Sequence, residues 1–152
     1  MNTVLTTLRT FTLAAALLLL ATGAPAADSE GKPFSTHKVV LQISDGNPAR
    51  QTLVLNVANN LINHYGADKV DVEIVAFGPG LSLLFADNSN NGRIDSLADG
   101  HGVRFSACSN TIAAVTRMRG QEPALTPRAT RVNAGVVQIM DLTADGYQLI
   151  KP

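Results

Sequence analysis

The chain contains one cysteine, Cys108, in the stretch GVRFSACSNT, where a run typical of a β-strand meets a run typical of a helix. A cysteine at the start of a helix lies among backbone N–H groups that lack partners, at the positive end of the helix dipole. Both features favour the thiolate and lower the pKa of a cysteine from its usual value. Because the thiolate is the nucleophilic form, this position predicts a reactive thiol. The alternative is a buried cysteine that only fills space, which is common for this residue type.

Asn110 and Thr111 are the residues best placed to assist Cys108, since they belong to the first turn of the expected helix. Their backbone N–H groups and side chains would lie beside the sulfur, and ordinary helix capping is the alternative role. Arg104 lies four residues earlier on an extended strand, roughly 13 Å away at about 3.3 Å per residue. His101 is farther still, so neither cation reaches the thiol along its own strand.

The sequence lacks the spacing of other familiar sites. His37, His64 and His101 are far apart, and no H-x-x-x-H or C-x-x-C spacing occurs, so we expect no metal site and no disulfide oxidoreductase motif. The phosphate-binding loop and the G-x-S-x-G elbow are absent, and GPGLSLL has Leu83 where a dinucleotide fingerprint requires its third glycine. We therefore expect that Cys108 needs neither a metal nor an organic cofactor.

The first residues are typical of an export signal. Arg9 is the only charged residue before an apolar run, Phe11 to Ala21, and Ala24-Pro25-Ala26 supplies the small residues of a cleavage site. The run has roughly half of the about 20 apolar residues that a transmembrane helix requires. We expect three segments in a periplasmic protein: a cleaved signal peptide in residues 1–26, a flexible segment in residues 27–36, and one domain in residues 37–152.

Size and charge limit the classes of function. The mature chain of about 125 residues is large enough to bury one core without disulfides or a structural metal. Loss of Arg9 from the 12 basic residues leaves 11 against 12 acidic residues, and the chain contains five Phe, two Tyr and no Trp. A nucleic-acid-binding protein is expected to show a basic face or interleaved aromatic residues. We therefore expect no nucleic-acid partner, and no membrane partner once the signal peptide is removed.

Strand and helix patterns alternate along the mature chain. HKVVLQIS has the apolar and β-branched content of a buried strand, and Asn47-Pro48 supplies a helix cap followed by a proline at the first helical position. Later strands are expected in residues 69–77, 103–107, 129–132 and 146–150, and later helices in residues 81–86, 94–99, 110–119 and 136–143. This alternation predicts a three-layer α/β fold, with a parallel sheet covered by helices on both faces.

The order of the strands determines where a ligand could bind. Chains that begin β-α-β commonly adopt the strand order 2-1-3-4-5, and such sheets bind ligands beyond the carboxyl ends of the strands where the winding direction reverses. In that order the reversal lies between the first and third strands. We therefore expect Asp45, Gly46 and Asn47, which follow the first strand, to face Cys108 across a crevice.

Three stretches of the chain resemble the DsrE/DsrF-like family, its exported members in particular: HKVVLQISDGNPARQTLVLNVANNL, GVRFSACSNT and GVVQIMDLTADGYQLIKP. The similarity extends from about His37 to Pro152. It implies a five-stranded, mainly parallel sheet and assembly into homotrimers or homohexamers. In cytoplasmic sulfur-relay members a cysteine at this place carries sulfur as a persulfide, and the resemblance gives that role to Cys108. The export signal and the longer helix after Cys108 differ from those members, so their partners and pathway are not carried over.

These observations lead to a primary hypothesis and two alternatives. The primary hypothesis is a periplasmic sulfur carrier, similar to a sulfurtransferase, whose Cys108 thiolate accepts sulfane sulfur and passes it to another thiol or nucleophile. Whether the protein turns over as an enzyme is left open. The first alternative is a non-catalytic, oligomeric binding protein that holds a small ligand in the crevice, with Cys108 in its wall. The second is a protein that forms a mixed disulfide with a partner.

Overall fold

The computed structural model describes residues 31–152 of the chain. The predicted signal peptide, residues 1–26, lies outside the described residues. Strands and helices alternate from residue 37 to residue 150, and the five strands form one sheet. The predicted α/β fold class is therefore confirmed.

The described residues contain five strands, four α-helices and one 3₁₀ helix. The strands are β1 (His37–Ile43), β2 (Val70–Ala76), β3 (Arg104–Cys108), β4 (Ala129–Val132) and β5 (Gln148–Ile150). The α-helices are α1 (Pro48–Tyr65), α2 (Asn91–His101), α3 (Ser109–Arg119) and α4 (Gly135–Ala144), and the 3₁₀ helix is Gly78–Leu84. No helix in residues 31–152 is long and apolar enough to cross a membrane.

Helix α1 begins and ends where the sequence predicts. The side chain of Asn47 accepts a hydrogen bond from the backbone N–H of Ala49 at 2.8 Å, and Pro48 occupies the first helical position. Gly66 ends the helix with a φ of 89°, in a region that favours glycine. The apolar stripe of α1 is buried against the sheet and includes Val54, Leu55, Ala58 and Ile62.

All five strands are parallel, and their order in the sheet is β4-β3-β2-β1-β5. The expected order 2-1-3-4-5 is therefore wrong, since β2 is the central strand and separates β1 from β3. The expectation rested on how common that order is in chains that begin β-α-β, whereas the pairing of Asp71 and Glu73 with Arg104 holds β2 beside β3. In the structure all seven residues of β2 are buried, because both carboxylates are paired with Arg104.

The path of the chain places helices on both faces of the sheet. Strands β1 to β4 are added in one direction, whereas β5 pairs with the free side of β1. Because parallel crossovers are right-handed, α1, α2 and α3 cover one face and α4 covers the other. The larger core lies on the first face and includes Leu41, Ile74 and Phe105. The smaller core lies beneath α4 and consists of Val40, Val75, Ile139, Leu142 and Tyr147.

Residues 31–36, for which the sequence predicts flexibility, are held against the domain by Lys32. Its backbone N–H donates a hydrogen bond to Asp71 Oδ2 at 2.9 Å. Its ammonium group donates to three carbonyl oxygens, at 2.6, 3.1 and 2.6 Å, which belong to Ala67, Val70 and His101. Three acceptors match the three hydrogens of the ammonium group. This part of the segment therefore has a defined position.

The turn after β2 approaches the end of β1 closely. Gly78 has a φ of 54°, in the left-handed region that favours glycine. A Cβ atom added at Gly80 would overlap the carbonyl group of Ile43 and lie 2.8 Å from the Cα of Ser44. Glycine at position 80 therefore allows the 3₁₀ helix to pack directly over the carboxyl end of β1.

We predict that Gly80→Ala destabilises the fold by about 2 kcal/mol or more, because the added methyl group must displace backbone atoms. The matched control is Gly100→Ala in α2, where an added Cβ meets nothing within 4 Å. Alanine there is expected to raise the free energy of unfolding by up to about 1 kcal/mol, because its helix propensity is higher than that of glycine. Urea unfolding measures both changes in the free energy of unfolding, and two variants of equal stability would contradict the close approach.

Candidate functional site

Cys108 ends β3 at the point where neighbouring helices leave the sheet in opposite directions. Helix α3 begins directly after Cys108 and covers one face, whereas α4 follows the neighbouring strand β4 and covers the other. Such a divergence opens the crevice in which parallel α/β sheets bind ligands. This rule assigns the crevice to the space between β3 and β4. The expected crevice between the first and third strands does not form, because β2 separates them.

Backbone N–H groups from both helices approach the sulfur of Cys108. Cys108 is the N-cap residue of α3, and the N–H groups of Asn110 and Thr111 in the first turn lie beside its sulfur. The N–H of Gly135, the first residue of α4, approaches the same sulfur. The thiol makes no regular capping hydrogen bond with α3. These N–H groups favour the thiolate, because hydrogen bonds to a sulfur that carries a negative charge are stronger.

The side chain of Thr111 supplies a further donor. Its Oγ1 accepts a hydrogen bond from the backbone N–H of Gly78 at 3.0 Å. Its own hydroxyl hydrogen is then available to the sulfur of Cys108. Residues that follow β2, β3 and β4 thus all act on one sulfur atom. Gly78, after β2, acts by way of Thr111, and Gly135, after β4, acts directly.

The balance of these contacts lowers the pKa of Cys108. Burial is the largest influence and raises the pKa, but it is outweighed by hydrogen bonds from the Thr111 hydroxyl and from the backbone N–H groups of Gly135, Thr111 and Asn110. Cys108 is a free cysteine that exposes 5% of its surface, so the thiol is almost entirely covered by the protein.

Close packing against Phe77 fixes the start of α4. A Cβ atom added at Gly135 would lie 3.0 Å from both Cβ and Cδ1 of Phe77. Ala134, the N-cap residue of α4, has no side-chain oxygen to cap the helix and makes no capping hydrogen bond. Glycine at position 135 therefore lets the start of α4 pack closely against Phe77, and the N–H of Gly135 acts on the thiol of Cys108.

The residues that follow β1 lie across β2 from Cys108. Asp45 accepts a hydrogen bond from the backbone N–H of Asn47 at 2.8 Å, and Asn47 caps α1. Gly46 packs against Pro79, where an added Cβ would lie 3.3 Å from the proline Cβ. The expectation that Asp45, Gly46 and Asn47 face Cys108 is therefore wrong, because it required β1 and β3 to be neighbours.

Two cavities near the carboxyl edge of the sheet have room for a small ligand. The first, of about 340 Å³, lies at the ends of β1 and β5, and its charged lining residues are Asp45, Arg50 and Lys151. The second, of about 260 Å³, lies between the end of β4 and α4; it includes Gln138 but not Cys108. Within residues 31–152, no group of three or more His, Cys, Asp or Glu residues is placed to hold a metal ion.

A buried cluster of charges beneath α4 was not apparent in the sequence pattern. Arg104 donates to Asp71 Oδ1 at 2.6 Å, to Glu73 Oε2 at 3.0 Å and to the Tyr147 hydroxyl at 2.9 Å. Burial and the hydrogen bond to Asp71 raise the pKa of Tyr147 to about 12, although the charge of Arg104 acts in the opposite direction. The alternating carboxylates of β2 are the signal in the sequence, but pairing them with Arg104 requires knowing that β2 and β3 are neighbours.

Comparison with solved structures identifies a relative of this chain. The chain is similar to a protein of unknown function from Methanobacterium thermoautotrophicum, with 31% sequence identity and a TM-score of 0.67. The match covers 76% of this chain and 99% of the archaeal chain. The two proteins belong to one family. The archaeal relative shares the α/β fold, whereas no protein-family model and no curated protein matches the chain.

We predict that Thr111→Val raises the pKa of Cys108, because valine has the shape of threonine but no hydroxyl to donate. Loss of one hydrogen bond to the thiolate should slow iodoacetamide alkylation at neutral pH by roughly two- to tenfold. The matched control is Thr116→Val on the same helix, where the hydroxyl donates to the carbonyl of Ile112. An alkylation profile that Thr111→Val leaves unchanged, or shifts to lower pH, would show that the hydroxyl does not act on the sulfur.

Proposed function

We propose that the protein is an exported sulfur carrier of the DsrE/DsrF-like type, in which Cys108 holds sulfane sulfur as a persulfide. The observation that carries this proposal is the convergence of donors from α3 and α4 on one free sulfur. The apolar segment that precedes residue 27 supports export to the periplasm. In an oxidising compartment a lone cysteine with no partner in its own chain is more readily explained by reactivity than by packing.

The proposed reaction is an exchange at sulfur. The Cys108 thiolate attacks the outer sulfur of a donor persulfide, R–S–SH, and a new S–S bond forms. The S–S bond of the donor breaks, and its electron pair leaves with R as the thiolate R–S⁻. The transferred sulfur keeps its hydrogen, so one thiolate is consumed and one is released. The same exchange in reverse passes the sulfur to an acceptor thiolate, without an oxidant, a metal or an organic cofactor.

The site favours a small donor. Cys108 exposes 5% of its surface, so a bulky group cannot reach the sulfur without movement of the surrounding chain. The N–H groups of Asn110, Thr111 and Gly135 stabilise the attacking thiolate, and they do so without a charged side chain that would have to be buried.

We predict that incubation with a small-molecule persulfide adds one sulfur atom to Cys108 and that Cys108→Ser gains none. Mass spectrometry of the peptide that contains residue 108 measures the added mass, and treatment with a reducing thiol should remove it. The proposal fails if the Cys108 peptide is observed without added sulfur while a free low-molecular-weight thiol in the same sample is converted.

A second function, binding of a small ligand without sulfur transfer, is favoured by the cavity of about 340 Å³ beside Asp45. Arg50 and Lys151 bring cationic groups to that cavity, which Cys108 does not line. Ligand binding there should therefore survive Cys108→Ser, whereas sulfur transfer should not.

A mixed disulfide with a partner, the remaining alternative, would instead give a reducible band of higher mass on a non-reducing gel.

We also propose that copies of the chain assemble, as the resemblance to trimeric and hexameric proteins implies. Helix α4 exposes Val136, Val137 and Met140 at 58%, 49% and 65% of their surfaces. Apolar side chains clustered on one helix are typical of an interface. Strands β4 and β5 are the edges of the sheet, and each leaves one side without a strand partner among residues 31–152.

We predict that the double variant Val137→Lys with Met140→Glu is monomeric, because charges on α4 would have to be buried in the interface. The matched control is Met118→Glu on α3, where a methionine that exposes 78% of its surface lies outside α4. Sedimentation equilibrium measures the mass of each species. A wild-type protein that is monomeric, or a double variant that assembles as the wild type does, would contradict the assignment of the interface to α4.

A further inference from the structure

Gln138 connects helix α4 to a buried carboxylate in the sheet. Its side-chain amide donates a hydrogen bond to Glu73 Oε1 at 2.9 Å. Glu73 lies on the central strand β2 and exposes 3% of its surface. A carboxylate that deeply buried must have its oxygens satisfied by donors, so the amide of Gln138 contributes to the stability of the charge.

The carboxylate of Glu73 is itself held in place. Oε1 also accepts from the hydroxyl of Ser106 at 2.6 Å, and Oε2 accepts from Arg104 Nε at 3.0 Å. Arg104 is fixed in turn by Asp71 and Tyr147. Donors on both oxygens prevent the carboxylate from rotating, because an ionised carboxylate can only accept hydrogen bonds. Gln138 therefore has an anchor that does not move relative to the sheet.

This anchor lies one helical turn from the thiol site. Gln138 follows Gly135, the residue whose N–H approaches Cys108, by three positions on α4. Ser106 precedes Cys108 by two positions on β3, and alternate residues of a strand face the same side. Glu73 thus ties together the strand that carries the thiol and the helix that covers it.

We propose that Gln138, anchored on Glu73, is a positioning residue that keeps the N-terminus of α4 against the sulfur of Cys108. The inference rests on the proposed function, in which Cys108 acts as a thiolate. Apolar packing of Ile139 and the contact between Gly135 and Phe77 also hold α4. Loss of the anchor should therefore loosen the first turn of α4 and leave the helix in place.

Substitution of Gln138 tests the position of the first turn of α4 without adding or removing a charged side chain. The main influences on the Cys108 thiol are burial and hydrogen bonds. Replacing the neutral Gln138 by another neutral residue adds and removes no charged side chain on the elements beside the thiol, which carry Asp71 and Glu73 on β2, Arg104 on β3, Arg131 on β4 and Asp141 on α4. A change in the ionisation of Cys108 then reports the lost hydrogen bond between α4 and Glu73.

The experiment is a titration of Cys108 by the ultraviolet absorbance of its thiolate, with Cys108→Ser subtracted as background. The variants are Gln138→Leu, which cannot donate, and Gln138→Asn, which is one methylene too short to reach Glu73. Loosening of a helix N-terminus should reduce the thiolate fraction below the pKa by about two- to fivefold in both. Gln121→Leu, an exposed glutamine between α3 and β4, is the matched control and should titrate as the wild type.

Titration curves of folded Gln138→Leu and Gln138→Asn that coincide with the wild-type curve would overturn the inference and leave Gln138 a purely structural partner of Glu73. If Gln138→Leu does not fold, Gln138→Asn decides the question, because it retains an amide for the buried site. The outcome is independent of sulfur transfer. A wild-type protein that accepts no sulfur refutes the proposed function without altering the titration difference between wild type and variants.

Discussion

The fold depends on a reversal of direction at the end of β4. Strands β1 to β4 are added to one side of the sheet, and the chain then crosses the opposite face as α4 to reach the free side of β1. Two helices consequently begin at neighbouring strands and diverge, and their unpaired N–H groups converge on the space between them. Cys108 fills that space with a sulfur atom. The backbone donors around this thiol are therefore placed by the topology of the sheet, and the hydroxyl of Thr111 adds a side-chain donor.

The buried charges beneath α4 impose the second constraint. Asp71 and Glu73 lie on the most enclosed strand of the sheet, so their carboxylates must be neutralised and hydrogen-bonded within the protein. Arg104 on the adjacent strand satisfies both, and the pairing specifies that β2 and β3 are neighbours in this register. The cluster therefore favours one arrangement of β2, β3 and α4, which is the arrangement that the thiol site requires.

The sequence was sufficient to predict features that depend on local order. The cap at Asn47-Pro48, the end of α1 at Gly66 and the strand at residues 129–132 follow from residues close together in the chain, and the structure contains all three. The position of Cys108 between β3 and α3 is of the same kind. The order of the strands was predicted wrongly, because it was taken from a common arrangement of such chains, and the ion pairs that join β2 to β3 connect residues 31 and 33 positions apart. The role of Gly135 depends on that order. Gly135 lies 27 positions after the cysteine, so residues close together in the chain do not predict it.

Hydrogen bonds from the Thr111 hydroxyl and from backbone N–H groups favour the thiolate of Cys108 more than burial opposes it. The most direct measurement is a pH titration of the protein with its single cysteine labelled at the β-carbon, followed by NMR in the folded state and again in urea. The account predicts that Cys108 ionises at a lower pH in the folded protein than in the unfolded chain. Ionisation at the same pH in both states, or at a higher pH in the folded protein, would contradict it.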